Sequence, residues 1–376
     1  MHNKKVEKMI KDNAIVITNP MIAGNRSSEV TLSKFLRVMN SAFDKIKVIG
    51  GNVVVEEDLK NIEVRSFKIK RTNNKLKKIV ELIILQIKMF FEVIMSTHKD
   101  EDVFFWIGDK MVLPFLGCKI RCARIHYFIY GNVFKEGNKS FLSTFSGRLI
   151  CYMANRADFV CLESSSVIDE WENKIKNKEE IIHLYTDDIQ LNEFKERKNI
   201  IGMICRLTEG KRVIESILAF IEFHMENPEW QCEIIGSGKQ EKMCHEIIKD
   251  YNAEEFIHLL GWVEHDKLKD ITSKWKILLF PTDTEGMPNG LLEMMGQGIP
   301  AIASPVGGIK DLLADGENGW VLAKNDSKSI YMALKQATTD AGYERISLNA
   351  LKKIEQNYSL RAAKKHVEEL FRNEKI

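Results

Sequence analysis

An excess of charge of either sign is missing from this chain. Lysines and arginines number 55 against 53 acidic residues, for a formal net charge of +2. No global field therefore recruits nucleic acid, and none is expected as a partner. Disulfide and zinc patterns are missing as well. The seven cysteines are odd in number and scattered, with no C-x-x-C and no Cys/His quartet at zinc spacing. Reduced thiols are the economical reading. The opening MHNKKVEKMIKDN is polar and has no apolar signal core, so export is not expected and a cytoplasmic location is.

Cofactor and metal signatures are incomplete in the same way. A nicotinamide dehydrogenase needs G-x-G-x-x-G, but after Gly236-Ser237-Gly238 position 241 is Glu. A P-loop NTPase needs G-x4-G-K-[ST]. Here Gly210-Lys211 runs into Arg212, and Cys205 replaces the leading glycine. A metal-dependent sugar transferase needs an acidic D-x-D after a strand, whereas Asp100-Glu101-Asp102 precedes one. No metal site and no cofactor are expected.

What is present is an alternation. With 376 residues, 44% hydrophobic and 29% charged, the chain is long enough for two ordinary globular domains. Apolar strand-like runs alternate with helical patterns, which argues for an α/β fold with parallel sheets. Strands are predicted at 14–18, 45–49, 62–67, 103–107, 125–130 and 159–162. A second series follows at 200–204, 231–235, 257–260, 277–280, 301–304 and 320–322. Two such series predict two Rossmann-like domains, at 1–188 and 189–358, joined through the charged, aperiodic DDIQLNEFKERKN. A terminal helix, 359–376, could cross back to the first domain.

The most informative stretch runs from Leu278 to Gly308, LLFPTDTEGMPNGLLEMMGQGIPAIASPVGG. A buried strand ends at Pro281, and Leu291, Leu292, Met294 and Met295 then recur at helical spacing. Glu285 thus falls in the loop beyond the strand, and Glu293 in the first turns of the helix. Between them Gly286, Met287, Pro288, Asn289 and Gly290 form a turn whose backbone N–H groups can reach a ligand. The helix N-terminus favours a phosphate. Carboxylates beside a phosphate cradle suit hydroxyl groups, so sugar plus diphosphate fits both halves. Flanked by glycine, proline and asparagine, neither glutamate is expected to be needed for packing.

This segment resembles the donor-site signature of the retaining GT-B glycosyltransferases of family 4, the glycosyl transferases group 1. Their pattern is strand, P-S-x-x-E-G-x6-E-A, helix, G-x-P-V, strand, G-G. Glu285 and Glu293 keep its spacing, Gly298 and Pro300 follow in place, and Gly307-Gly308 close the next strand. The resemblance implies a GT-B fold, two Rossmann-like domains facing a cleft, with the acceptor on the first and the nucleotide-sugar donor on the second. It implies metal-independent transfer of a sugar, with retention, from a UDP- or GDP-linked donor to a glycan or lipid-linked acceptor in cell-surface polysaccharide or glycoconjugate synthesis. An epimerase or a sugar-nucleotide-binding pseudoenzyme on the same fold is the alternative.

By the same resemblance Arg206 and Lys211 hold the diphosphate, Glu285 orients the transferred sugar, and Glu293 binds the ribose. Cys205 and Arg212 depart from the family by replacing glycines, which puts the local backbone in question. Donor-binding roles are also implied for Gly286, Met287, Pro288, Asn289, Gly290, Leu291, Gly236 and the segment Gly261-Trp262-Val263. Trp262 would stack on the base or serve only packing. In the first domain Gly24 and Asn25 occupy the position of a glycine-rich loop. Tyr130 stands nearest the family's strand-end histidine, since His126 falls inside the strand. Ser164 matches a loop serine at the cleft.

The stretch 75–95, KLKKIVELIILQIKMFFEVIM, reads as a helix apolar over most of its circumference, preceded by Lys68, Lys70 and Arg71. Its charges argue against spanning a bilayer. The favoured reading is a crossover helix under the first sheet. The alternative uses 68–95 as an in-plane docking helix on an anionic membrane surface, at the inner face of the plasma membrane.

Overall fold

Runs such as Asp102–Phe105 and Ile277–Phe280, buried at every position, suit inner strands of sheets covered on both faces. The computed structural model describes residues 11–21, 26–70, 72, 74–108, 110–130, 141–171 and 174–372. It divides into two units. One comprises Met1–Glu163, Trp171–Leu184 and Ala363–Ile376, the other Ser164–Glu170 and Tyr185–Ala362.

In the first unit the strands are β1 (Lys11–Ile17), β2 (Phe43–Gly51), β3 (Ile62–Phe67), β4 (Asp102–Phe105), β5 (Arg124–Phe128), β6 (Phe159–Leu162) and β7 (Glu179–Ile181). They form one sheet in the order β3-β2-β1-β4-β5-β6-β7, every pair parallel. Helices α1 (Arg26–Met39), α2 (Lys75–Ser96), α3 (Val112–Ile120) and α4 (Phe141–Ala154) supply the crossovers. Strand β7 was not anticipated. Two of its three residues are glutamates, so a search for apolar runs passes over it.

The second unit holds β8 (Ile200–Ile204), β9 (Gln231–Ile235), β10 (Ile257–Gly261), β11 (Ile277–Phe280), β12 (Ala301–Ala303) and β13 (Gly319–Val321). Their order is β10-β9-β8-β11-β12-β13, again parallel throughout. The helices are α5 (Val213–Glu226), α6 (Glu241–Asp250), α7 (His265–Thr272), α8 (Asn289–Gly296), α9 (Ile309–Leu312), α10 (Ser327–Thr339) and α11 (Tyr343–Asn357). A core of Phe220, Phe223, Trp230, Trp320 and the inner strand residues fills this unit. Each large side chain so buried contributes roughly 1.5–3 kcal/mol.

Helix α12 (Leu360–Arg372) closes the chain, and from Ala363 onward it groups with the first unit. There Phe371 packs against Phe43 and Phe104, with ring centroids 5.2 and 5.6 Å away.

In a sheet ordered this way the strands leave β8 in opposite directions, to β9 on one side and through β11 on the other. The loops after β8 and β11 therefore diverge, which opens a crevice at their carboxyl ends.

Candidate active site

That crevice gathers the residues singled out in the sequence. Beyond β8 the chain runs through Cys205 and Arg206 into a short 3-10 turn, Glu209–Lys211, and then into α5. Beyond β11 the loop from Pro281 leads into α8. Lys211 Nζ is paired with the Glu285 carboxylate, reaches Thr282 Oγ1 at 3.4 Å, and lies 5.6 Å from the centroid of the Phe280 ring. The backbone ties the same two loops, since Asp283 N–H donates to the Gly210 carbonyl at 3.0 Å. Arg206 is exposed at the strand end.

Arg212, which replaces a family glycine, has φ +51°. Few side chains adopt that left-handed conformation, and here two acidic partners anchor the residue. Asp283 takes the guanidinium at 2.7 and 2.8 Å, and Glu215 at 2.9 Å. Hydrogen bonds to Asp283 and then Glu215 push the Arg212 pKa further up. At the other departure, burial pushes the Cys205 thiol up to about 12, so it is no nucleophile at neutral pH.

Glu293 lies in α8 and is only 7% exposed. The expectation that it stands clear of the packing is thereby corrected, because the helix turns it inward beside Leu292 and Met294 rather than out at the junction. Its Oε1 meets His265 Nε2 at 3.0 Å. His265 opens α7 and is itself largely exposed. Sequence reasoning missed it, as no spacing rule links it to a glutamate two loops later. Helix α8 has no side-chain cap, so its first N–H groups, from Asn289 and Gly290, remain available to a ligand.

The Gly307-Gly308 turn holds this loop from the far side. Gly308 N–H donates to the Gly286 carbonyl at 2.7 Å. At Gly307 φ is +47°, and a β-carbon would overlap the Glu285 carbonyl oxygen, so only glycine lets the two loops approach this closely. Met287 and Leu291 are buried and pin the loop and helix start to the core. Gly236 N–H donates to the Gly261 carbonyl at 2.8 Å, which joins the ends of β9 and β10. Trp262 follows, 71% exposed. It is therefore no packing tryptophan. Val263 beside it is half-buried.

Ser164 is buried and bonded to Asp311 at the start of α9, and Ser165 and Ser166 bond the same carboxylate. Burial alone would raise the Asp311 pKa, but the bonds from Ser164, Ser166 and Ser165 hold it below its ordinary value. Asp311 was not anticipated. In the first unit the Tyr130 carbonyl accepts from Trp171 Nε1 at 3.0 Å. Gly24 and Asn25 lie outside the described residues.

Among the described residues, His126, Cys161 and Glu180 alone bring three metal-binding atoms together. They lie inside the first sheet, on β5, β6 and β7. His126 Nδ1 is 2.6 Å from Glu180, Nε2 is 2.9 Å from Asp102, and Phe104 and Phe159 stack on the ring. Both ring nitrogens are thus occupied by carboxylates. Burial would lower the imidazole pKa, but the hydrogen bonds to Asp102 and Glu180 raise it.

Comparison with known proteins agrees with this geometry. Residues 185–358 match the model of the family described as glycosyl transferases group 1. Over 133 residues the chain is 34% identical to the GtfA subunit of UDP-N-acetylglucosamine–peptide N-acetylglucosaminyltransferase from Streptococcus pneumoniae, covering 35% of this chain and 26% of that protein. Over 175 residues it is 25% identical to the putative colanic acid biosynthesis glycosyltransferase WcaL of Salmonella typhimurium, covering 44% and 43%. The chain thus matches less than half the length of these two relatives. The structure of Anabaena HepE in complex with UDP and glucose superposes with a TM-score of 0.74 at 15% identity, over 96% of this chain and 99% of that one. Residues 185–358 thus match the glycosyl transferases group 1, and the chain has a fold of GT-B type.

Proposed function

We propose that this protein is a metal-independent retaining hexosyltransferase. It moves a sugar from a UDP- or GDP-linked donor to a glycan or lipid-linked acceptor in cell-surface polysaccharide or glycoconjugate synthesis. One observation carries the reading: Lys211 and Glu285, from loops after different strands, meet at the crevice between β8 and β11. A nucleoside diphosphate arriving there competes with Glu285 for the Lys211 ammonium, and Arg206 at the strand end adds a second cation. Glu285, released, accepts hydrogen bonds from the transferred sugar. Glu293, carried in α8 and met by His265, accepts from the ribose. Trp262 offers a face to the base.

In the reaction the bond between the anomeric carbon and the donor phosphate oxygen breaks. The acceptor hydroxyl oxygen bonds to that carbon on the same face, and its proton passes to the leaving phosphate. Lys211 and Arg206 neutralise the charge that develops on the diphosphate, a role that a divalent ion fills in other enzymes.

A thermal-shift screen of UDP- and GDP-sugars, followed by transfer assays on the stabilising donor, tests the reading. Stabilisation and a product that keeps the donor's anomeric configuration in the presence of a chelator are expected. Turnover that is independent of acceptor would indicate an epimerase, and binding without turnover a pseudoenzyme. Loss of transfer in chelator, restored by magnesium or manganese, would refute the mechanism.

A further inference from the structure

Helix α2 carries apolar residues on two faces. Leu85, Met89 and Val93 are buried against the rest of the first unit, as a crossover helix requires. Opposite them Leu76, Ile79, Ile83, Ile87, Phe91 and Met95 recur every three or four residues, and each is 42–75% exposed. α3 packs beside α2 at Gly117, where a β-carbon would press on Phe90 and Val93 at 3.2 Å. It adds the exposed Leu116 and Ile120. A protein that has no use for such a surface rarely keeps it.

The charges beside this stripe are mostly basic, with Glu81 the acid among them. The first turn of α2 begins Lys-Leu-Lys-Lys and contains no acid, although cations at a helix N-terminus oppose its dipole. These lysines therefore do not serve the helix, which Asn74 already caps by accepting from Leu76 N and Lys77 N. On one flank Lys68, Lys70 and Lys88 line a cavity of about 220 Å³ with Glu81 and Ile84, and all three lysines are exposed.

We infer that the α2–α3 face docks on an anionic phospholipid bilayer. The helix lies in the plane of the surface, with its stripe at the boundary of headgroups and acyl chains and its lysines on the lipid phosphates. None of the described helices is long and apolar enough to cross a membrane. A two-fold pairing of this face with a second copy would set lysines against lysines around an apolar centre. An anionic surface matches both features. The inference is independent of the glycosyltransferase reading, because its test measures no activity.

Cosedimentation of the full chain with vesicles decides it. Binding should be about tenfold tighter to phosphatidylcholine mixed with phosphatidylglycerol than to phosphatidylcholine alone, and should weaken as salt is raised. Lys77→Glu with Lys88→Glu should abolish that preference. Ile83→Gln with Ile87→Gln should remove binding to both vesicles and leave the thermal unfolding profile unchanged, since both positions are exposed. Equal binding to the two vesicles, or a glutamine variant that binds like the parent, would overturn the inference. So would a dimer in light scattering that the glutamine variant disperses, since it would assign the face to a second copy.

Discussion

The two sheets share an order over six strands and differ in where their main charge clusters lie. In the second unit several charge pairs gather at the strand ends and helix starts, as Lys211 with Glu285, Arg212 with Asp283 and Glu215, and His265 with Glu293, although Glu233 of β9 is buried and pairs with Lys274. In the first the main cluster is sunk into the fold. His126 lies between Asp102 and Glu180 inside the sheet, and Glu92 of α2 is buried with Lys47 and Arg65 against it. A charge pair at a strand end can exchange its partner for a ligand. A pair inside a sheet has no such access and serves only stability. The comparison separates the candidate chemistry from the scaffold without appeal to any motif.

The sharpest way to break this contrast is to remove one member of each kind. His126→Leu removes the ring that bonds the buried Asp102 and Glu180, and should cost roughly 3–5 kcal/mol, as losing one partner of a buried ion set does. Denaturant unfolding should show a lowered midpoint, with nucleotide binding by the folded protein unchanged. An unaltered midpoint would deny the cluster its structural role.

Lys211→Gln should do the reverse. Each charge-assisted bond to a diphosphate is worth roughly 1.5–3 kcal/mol, so nucleoside-diphosphate affinity by calorimetry should fall by about one to two orders of magnitude while the fold persists. Affinity equal to that of the parent would remove this loop from the site.

Glu293→Gln should have a smaller effect on binding, about 1 kcal/mol, from the weaker acceptor offered to the ribose. Because Glu293 is buried, a measurable drop in unfolding temperature is also expected. A variant with parental affinity and a lowered unfolding temperature would reduce Glu293 to a packing residue.

The smallest effect is a pH dependence confined to the first unit. The folded pKa of His126 is raised above its ordinary value by bonds to Asp102 and Glu180, which are in turn met by Arg124 and Cys161. The group binds its proton more tightly folded than unfolded. Its contribution is therefore complete below an unfolded pKa of about 6.5 and is lost as pH rises through the folded value. Stability measured from pH 6 upward should decline in the parent and decline less in His126→Leu. Parallel profiles would show that this group does not titrate in the range.

Much of this was readable from residue order. A strand of four apolar residues, a loop with two glycines and an amphipathic helix are local patterns, and Ile277–Phe280 and Asn289–Gly296 formed where their residues required. Other features depend on distant partners. Strand β7 pairs with β6 and sets Glu180 against His126, 54 positions earlier, and no local period announces it. Arg212 holds a left-handed backbone because Asp283, 71 residues on, takes its guanidinium.

Residue order alone established the alternation of strand and helix, the glutamate spacing and the glycine turns, since each arises from neighbours within a few residues. Folding added the pairing of Lys211 with Glu285 across 74 positions, the meeting of His265 with Glu293, the inward turn of Glu293 and the bare outer face of α2. These depend on which strands lie side by side and which helix face finds a neighbour. Both follow from packing the whole chain at once, so a short stretch of sequence carries no trace of them.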